Sequence, residues 1–371
     1  MSSAPAVVRR APGKLFVAGE YAVVEPGHSA LLVAVDRYVT VTATAAARPG
    51  VTVSSDLGPH EVHWTWRDGT LRLSGPGDES GLREKLVHVL SAVETVHTLL
   101  AEHGLPAPQL ALTVRSDLHE GGRKFGLGSS GAVTVATIEA VAEVCELALT
   151  REQVFRLALV TGAGIDIKGS GGDLAAAVWG GWLAYRAPDR AHVLDLVHER
   201  GIGHTLRAPW PGFQARPLPP PAGLSLEVGW TGTPASTTSL VADLHRRTWR
   251  GTPTHERFLA ASAEFVDAAA AAIEAGDAPG VQQQIRRARQ ELSHLDDAVG
   301  LGIFTPQLTA LCSIAEADGG AAKPSGAGGG DCGIALFATD APDHIAHVRD
   351  RWAAAGVTPL PVSPAVKGIE E

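Results

Sequence analysis

A glycine-rich segment in the middle of the chain constrains the fold more than any other feature. It reads Lys124-Phe125-Gly126-Leu127-Gly128-Ser129-Ser130-Gly131-Ala132 and opens an apolar run that continues to Leu147. The run contains neither Gly nor Pro after Gly131 and predicts a helix. A glycine-rich loop at a helix N-terminus binds phosphate well, because converging backbone N–H groups and the positive end of the helix dipole attract an anion. The two serines add hydroxyls that can reach phosphate oxygens or Mg²⁺.

The same loop is open to two other interpretations. Gly126, Gly128 and Gly131 also have the G-x-G-x-x-G spacing of dinucleotide-binding folds. Such a fold would place an acid at the end of the next strand, about twenty residues later, whereas Glu143 and Glu146 fall inside the predicted helix. A turn that only allows close helix packing is the other interpretation, and it leaves the adjacent basic pair and the twin serines unexplained.

Two further glycine-rich segments carry a lysine and lie far from the first in sequence. They are residues 11–28, with Lys14, and residues 323–335, with Lys323. The second segment leads into the apolar run 334–338, which predicts a strand, so its loop is attached to rigid structure. The chain has only six lysines; Lys14, Lys124 and Lys323 lie in these segments, and Lys168 directly precedes another glycine-rich stretch, residues 169–172. A compact ammonium charge suits a phosphate site and differs in geometry from the guanidinium of arginine.

Together the three segments resemble the motifs of the GHMP kinase family of small-molecule kinases, in the same order and over most of the chain. Residues 169–175 and 229–238 resemble the aspartate-bearing loop and the substrate-side loop of the members that act on 5-phosphomevalonate. Residues 19–21, Gly-Glu-Tyr, depart from the Gly-Glu-His common in other branches. The resemblance implies an α+β, two-domain fold with a ribosomal-S5-like N-terminal half and a ferredoxin-like C-terminal half, and an active site between them.

The same resemblance implies an activity. It is the transfer of a phosphoryl group from ATP to (R)-5-phosphomevalonate, with ATP and Mg²⁺ as cofactors and (R)-5-diphosphomevalonate and ADP as products. Three alternatives stay open. The acceptor could be the alcohol mevalonate, the reaction could be the related decarboxylation of diphosphomevalonate, or the chain could be an inactive relative that only senses its ligand.

The resemblance also assigns residues. Those expected to bind ATP are Lys124, Gly126, Leu127, Gly128, Ser129, Ser130, Gly131 and Ala132, with Ser129 or Ser130 contributing a hydroxyl to Mg²⁺. Those expected to bind the acceptor are Lys14, Tyr21, Lys124, Ser170, Asp173, Ser236, Ser325, Gly326, Ala327 and Gly328. Lys14 and Asp173 are the expected catalytic residues. Lys14 would neutralise charge between donor and acceptor, and Asp173 would lie beside the reacting group.

The role of Asp173 depends on the acceptor. An alcohol must lose its proton, so a positioned carboxylate base would matter strongly. A phosphate monoester has a second pKa of about 6 and is already largely a dianion near neutral pH, so Asp173 would then mainly align it. A helix N-cap before residues 174–178 is the structural alternative for this aspartate. Whether Lys168 or Arg123 supplies a further cation stays open.

The composition limits which other partners the protein is expected to bind. The chain has 31 Lys plus Arg and 40 Asp plus Glu, a net charge of −9, and no basic stripe, which argues against binding to nucleic acid or an anionic membrane. No obligate protein partner is evident. The three cysteines have neither metal-ligand nor paired spacing, which suits a reducing cytosol. No secretory signal or long apolar span is recognisable, so we expect a cytoplasmic protein.

At 371 residues the chain is longer than a single hydrophobic core usually supports, so two domains are expected. Pro and Gly cluster in residues 209–223 and make this stretch the best boundary candidate. We therefore predict an ATP-binding domain over 1–208, a Pro-rich connection over 209–223 and a C-terminal domain over 224–371. The connection could equally be an ordered loop within one domain.

Overall fold

The computed structural model describes residues 6–56, 61–233 and 249–365. Within them, the N-terminal half is built on a large mixed sheet and one short hairpin. The strands are β1 Val7–Ala18, β2 Ser29–Ala45, β3 Val51–Ser55, β4 Val62–Arg67, β5 Thr70–Leu73, β6 Leu110–Ser116, β7 His119–Glu120, β8 Arg123–Lys124, β9 Trp182–Arg186 and β10 Gln214–Leu218. The sheet has the order β10-β9-β2-β6-β3-β4-β5 with β1 beside β2, and β7 pairs with β8 alone.

The pairing of β1 with β2 contains an irregularity that matters for the site. The antiparallel register shifts between Pro12 and Gly13. Proline has no N–H to donate to the ladder, and a bulge changes the direction of the side chains that follow it. Lys14 comes directly after this shift. The local sequence therefore helps to fix the position of Lys14 within the strand.

Helices cover the large sheet. They are α1 Glu79–Glu102, α2 Ser129–Val144, α3 Arg151–Ile165, α4 Gly172–Trp179, α5 Arg190–Arg200 and α6 Ile202–Thr205. Helix α2 packs on β1 and β2 and also touches α1, α3 and α4, because small and apolar residues occupy most of its faces. Helix α3 begins with a capping box, since the Thr150 and Gln153 side chains each accept a hydrogen bond from the other residue's backbone N–H.

The C-terminal half has its own antiparallel sheet. Its strands are β11 Leu224–Trp230, β12 Ala321–Pro324, β13 Cys332–Ala338 and β14 Thr358–Leu360, in the order β12-β13-β11-β14. Its helices are α7 Pro253–Ala275, α8 Ala278–Val299, α9 Pro306–Ala317 and α10 Pro342–Ala354. None of the helices described in the two halves is long and apolar enough to cross a membrane.

The proline-rich stretch between the halves is ordered in part. Strand β10 lies inside residues 209–223 and pairs antiparallel with β9 at the edge of the large sheet. Just before it, the ring of Phe213 stacks on Phe155 of α3, with 4.8 Å between the ring centroids. This stretch therefore packs as part of the N-terminal half at least as far as Leu218.

Candidate active site

The glycine-rich segment that we call the phosphate loop, residues 126–131, leads from the β7–β8 hairpin into the first turn of α2. Gly128 is the N-cap of α2 and has φ 77° and ψ 41°, a left-handed conformation that glycine adopts without strain. The N-cap contributes no side-chain acceptor, and the first turn of α2 contains no acid. The first N–H groups of the helix are therefore left to bind an anion.

Strand β1 holds the phosphate loop by close backbone contact. The backbone N–H of Lys14 donates to the carbonyl oxygen of Leu127 at 2.8 Å. A Cβ atom added to Gly13 would lie only 2.9 Å from that same oxygen. Glycine at position 13 is thus required for the strand and the loop to meet, and the contact brings Lys14 to the start of α2.

Lys14 and Asp173 lie together beside the phosphate loop. A Cβ on Gly128 would be 3.1 Å from Cε of Lys14 and 3.4 Å from Cβ of Asp173, and a Cβ on Gly131 would be 2.6 Å from Oδ2 of Asp173. The amino group of Lys14 is 5.1 Å from the ring centroid of Phe16. The structure thus brings the two residues predicted to be catalytic to the N-terminal end of α2.

Asp173 is not the N-cap of the following helix. Gly171 occupies the N-cap of α4, and Asp173 lies in the first turn. Its Oδ1 accepts the backbone N–H of Leu174 at 3.0 Å, whereas Oδ2 is the atom closest to Gly131. One carboxylate oxygen is thus engaged by the helix, and the other is directed at the phosphate loop.

The predicted Mg²⁺ residues are the first two of α2. Ser129 and Ser130 are half-buried, and Thr134 donates to the carbonyl of Ser130 at 2.9 Å. Within 6–56, 61–233 and 249–365, no group of three or more His, Cys, Asp or Glu side chains could hold a metal ion. Mg²⁺ prefers oxygen ligands and is usually bound by one or two protein groups together with substrate phosphates. The hydroxyls and the nearby Asp173 fit that donor set.

Lys124 and one histidine flank this region. Lys124 is exposed at the end of β8. His88 on α1 was missed by the sequence analysis. Burial lowers the pKa of its imidazole, the positive charge of Lys124 lowers it further, and the carboxylate of Asp173 opposes both. His88 therefore experiences the field of both residues, although no sequence motif marks it.

A pocket opens beside Phe16, whose ring centroid lies 5.1 Å from the amino group of Lys14. It is lined by three segments that are distant in sequence, namely the end of β1 with the following 3-10 turn Ala22–Val24, the loop before α4, and the loop after β12. The lining residues are Phe16, Glu20, Tyr21, Val23, Val24, Asp166, Lys168, Gly169, Ser170, Gly326 and Ala327. Of the residues predicted to bind the acceptor, the structure therefore places Tyr21, Ser170, Gly326 and Ala327 on one pocket.

Two other predicted residues, Ser325 and Gly328, flank the pocket residues Gly326 and Ala327 in sequence. The hydroxyl of Ser325 accepts the backbone N–H of Phe16 at 2.9 Å and donates to the carbonyl of Phe16 at 3.0 Å. A Cβ on Gly328 would lie 2.6 Å from the carbonyl oxygen of Ile303, so this glycine faces the protein interior. Ser236, also predicted to bind the acceptor, lies outside the described residues.

Tyr21 and Glu20 join the N-terminal wall to the C-terminal loop. The buried hydroxyl of Tyr21 donates to the carbonyl of Ala327. Burial raises the pKa of Tyr21, and the negative charges of Asp296 and Glu20 raise it further, so the phenol stays protonated and able to donate.

Glu20 forms a buried ion pair with Lys323, whose side chain is fully buried, and also accepts the backbone N–H of Gly326 at 3.3 Å. The ammonium of Lys323 donates in addition to the carbonyl of Pro324 at 2.6 Å. The third candidate lysine is thus a structural cation rather than one that faces the pocket.

Comparison with known proteins identifies the family of the chain. The models of the GHMP kinase N-terminal and C-terminal domains match residues 88–181 and 269–358. The sequence is 61% identical to the phosphomevalonate kinase of Streptomyces sp. (strain CL190) over 98% of both chains. It is 27% identical to the mevalonate kinase of Pyrococcus abyssi (strain GE5 / Orsay), over 95% of this chain and 94% of that one.

A solved structure shares the fold. The fold resembles that of Streptococcus pneumoniae phosphomevalonate kinase in complex with phosphomevalonate and AMPPNP, with a TM-score of 0.84 and 27% sequence identity. The match covers 97% of this chain and 100% of that one. The chain belongs to the GHMP kinase family, and the predicted α+β, two-domain fold is confirmed.

Proposed function

We propose that the protein catalyses the ATP-dependent phosphorylation of (R)-5-phosphomevalonate to (R)-5-diphosphomevalonate, with release of ADP. The observation that carries the proposal is 61% identity, over 98% of both chains, to a phosphomevalonate kinase. The geometry agrees with it, because an anion-binding helix end, a lysine and a carboxylate meet beside a pocket. We call this pocket the acceptor pocket.

The phosphate loop would bind the donor. In this proposal the backbone N–H groups of residues 126–132 hold the phosphates of ATP, and Lys124 adds a positive charge from the edge of the loop. When Mg²⁺ is bound, it neutralises charge on the donor phosphates, and Ser129 or Ser130 would supply a hydroxyl ligand. Phosphoryl transfer needs little covalent work from protein groups, so positioning and charge neutralisation account for most of the catalysis.

Lys14 and Asp173 would act between the two substrates. An oxygen of the acceptor phosphate forms a bond to the γ-phosphorus of ATP, and the bond from that phosphorus to the bridging oxygen of ADP breaks. A phosphate monoester is already largely a dianion near neutral pH, so no proton has to be removed from the acceptor. Lys14 would then stabilise the charge that spreads over the transferred group. Asp173 would align the acceptor rather than serve as an essential base.

The domain limits and the cellular location belong to the same proposal. We propose an ATP-binding domain over 1–208 and a C-terminal domain over 224–371, connected by 209–223. The separate sheets of the two halves support this division, although β10 extends the first half into the connection. The three cysteines form no disulfide with one another, which supports a reducing compartment such as the cytoplasm.

Release of ADP by purified protein tests the function. The assay compares 5-phosphomevalonate, mevalonate and 5-diphosphomevalonate at equal concentrations with Mg·ATP, and CO₂ is measured in parallel. We expect turnover with 5-phosphomevalonate and no release of CO₂. Preference for mevalonate would contradict the proposal and indicate an alcohol acceptor, release of CO₂ would indicate a decarboxylase, and ligand binding without ADP would indicate an inactive relative.

A further inference from the structure

The loop before α4 contributes an unusual charge to the acceptor pocket. Among the pocket-lining residues that the structure describes, Lys168 is the only cation. The two lining acids are already engaged, because Glu20 pairs with Lys323 and Asp166 accepts the backbone N–H of Lys168 at 3.0 Å. Within the described part of the chain, no carboxylate forms an ion pair with the ammonium of Lys168, and the residue is exposed. Its positive charge is thus available to a ligand.

The backbone on either side of Lys168 is fixed by two buried side chains. Arg190 is almost fully buried and donates to the carbonyls of Ile167 and Pro188, at 3.4 and 3.2 Å, and to the carbonyl of Val24. Tyr185 donates from its hydroxyl to the carbonyl of Ser170 at 2.7 Å. Arg190 therefore links the wall that contains Val24 to the loop before α4. Lys168 lies between Ile167 and Ser170, whose carbonyls are both held by hydrogen bonds.

The ordered backbone around Lys168 reduces the conformational entropy that is lost when Lys168 binds a ligand. When the loop is already ordered, only the lysine side chain has to become fixed on contact with a ligand, and preorganisation of this kind improves affinity. The remaining lining includes Phe16, Val23 and Val24. An anion placed among such apolar side chains requires a charged or hydrogen-bonding partner, and Lys168 is positioned to provide it.

We propose that Lys168 is a specificity-determining residue that binds a terminal oxyanion of the acceptor. The inference rests on the proposed function, whose acceptor carries a carboxylate at one end and a phosphate at the other. Both groups offer the same chemistry to an ammonium, namely charge-assisted hydrogen bonds to anionic oxygens. Lys168 would thus select acceptors that carry this charge at the position it reaches.

The first test compares K168M with the wild type and with two controls. K168R keeps the positive charge, and K85M removes one from an exposed lysine on α1, outside the pocket. We expect the KM for 5-phosphomevalonate to rise about 10- to 100-fold in K168M, with the KM for ATP unchanged and kcat within about threefold. K168R should recover most of the affinity, since it can still bind an oxyanion. An unchanged acceptor KM in K168M, or a rise confined to ATP, would overturn the inference.

Two competitive inhibitors identify the oxyanion. Mevalonate has the carboxylate without the phosphate, and 3-hydroxy-3-methylpentyl phosphate has the phosphate without the carboxylate. The inhibitor whose Ki rises in K168M carries the group that Lys168 binds. If both Ki values are the same in K168M and the wild type, Lys168 binds neither group and the proposal is wrong.

Calorimetric titration with 5-phosphomevalonate separates this inference from the proposed function, because it measures affinity without turnover. Wild-type protein that binds the acceptor but does not phosphorylate it would contradict the function alone. Equal Kd values for wild type and K168M would overturn the role of Lys168 alone.

Discussion

The phosphate loop and the acceptor pocket keep their shapes by different means. The phosphate loop depends on the absence of side chains, because Gly13, Gly128 and Gly131 allow backbone and catalytic groups to approach closely. The acceptor pocket depends on long side chains, because Arg190 and Tyr185 hold its walls through backbone carbonyls. Adding a single Cβ atom should therefore disturb the phosphate loop. Removing hydrogen-bond donors or charges should instead disturb the acceptor pocket.

Substitutions in the two regions should also affect different measured quantities. Lys14 and Asp173 lie directly against the phosphate loop, so changes there should lower kcat. The pocket walls are joined by hydrogen bonds and by the buried Glu20–Lys323 ion pair, so changes there should alter acceptor affinity or stability. The following four experiments test this division, beginning with the largest expected effect.

Replacing Lys14 by Met should lower kcat by about 1,000-fold or more, because a cation that stabilises the transferred phosphoryl group typically contributes this much. The free energy of unfolding should change little. Steady-state kinetics and chemical denaturation measure the two quantities, and K85M serves as the charge-matched control. A near-normal rate in K14M would remove this lysine from the mechanism.

Replacing Lys323 by Met should decrease the free energy of unfolding by about 3–5 kcal/mol, since it leaves the carboxylate of Glu20 buried without its partner. Urea denaturation measures the effect. The double variant K323M/E20L removes both charges and should recover much of the lost stability. Unchanged stability in K323M would show that the ion pair does not hold the pocket walls together.

Replacing Gly131 by Ala should lower kcat by about 100-fold, because the new Cβ would lie 2.6 Å from Oδ2 of Asp173 and a displacement of about 1 Å at a reacting centre can cost that factor. Gly164 in α3 is the matched control, since a Cβ there meets no atom within 4 Å. G164A should therefore keep full activity. Equal rates for the two variants would mean that the close contact with Asp173 has no catalytic importance.

Replacing Arg190 by Lys should raise the KM for the acceptor about fivefold and leave the KM for ATP unchanged. Lysine keeps the charge but cannot reach all three carbonyls, and one hydrogen bond is worth about 0.5–1.5 kcal/mol. R200K, at the exposed C-terminal end of the same helix, is the control. A change in kcat without a change in acceptor KM would show that Arg190 affects the catalytic step rather than acceptor binding.

The two regions also differ in how well the sequence predicts them. The phosphate loop was predictable because its glycine spacing and the following apolar run are local features, and Lys14 was found from its own glycine-rich motif. Lys323 was assigned to the same group of lysines, but the structure pairs it with Glu20. That pairing joins residues about three hundred positions apart, and no local pattern predicts such a contact.

The acceptor pocket was even less predictable from the sequence. Arg190 and Tyr185 have no motif, because their partners are carbonyl oxygens, which every residue carries. The field at His88 likewise arises only when α1 packs near Asp173 and Lys124. The family resemblance supplied Tyr21, Ser170, Gly326 and Ala327 as expected acceptor residues, and their shared location on one pocket became visible only in the folded chain.

³¹P NMR of the reaction with 5-phosphomevalonate and Mg·ATP reveals which acceptor atom attacks the γ-phosphorus. We expect the monoester resonance to disappear and two coupled resonances of a new diphosphate to appear as ADP accumulates. Formation of a second, uncoupled monoester resonance would show transfer to a hydroxyl group. That result would contradict the proposal that the phosphate of the acceptor is the nucleophile.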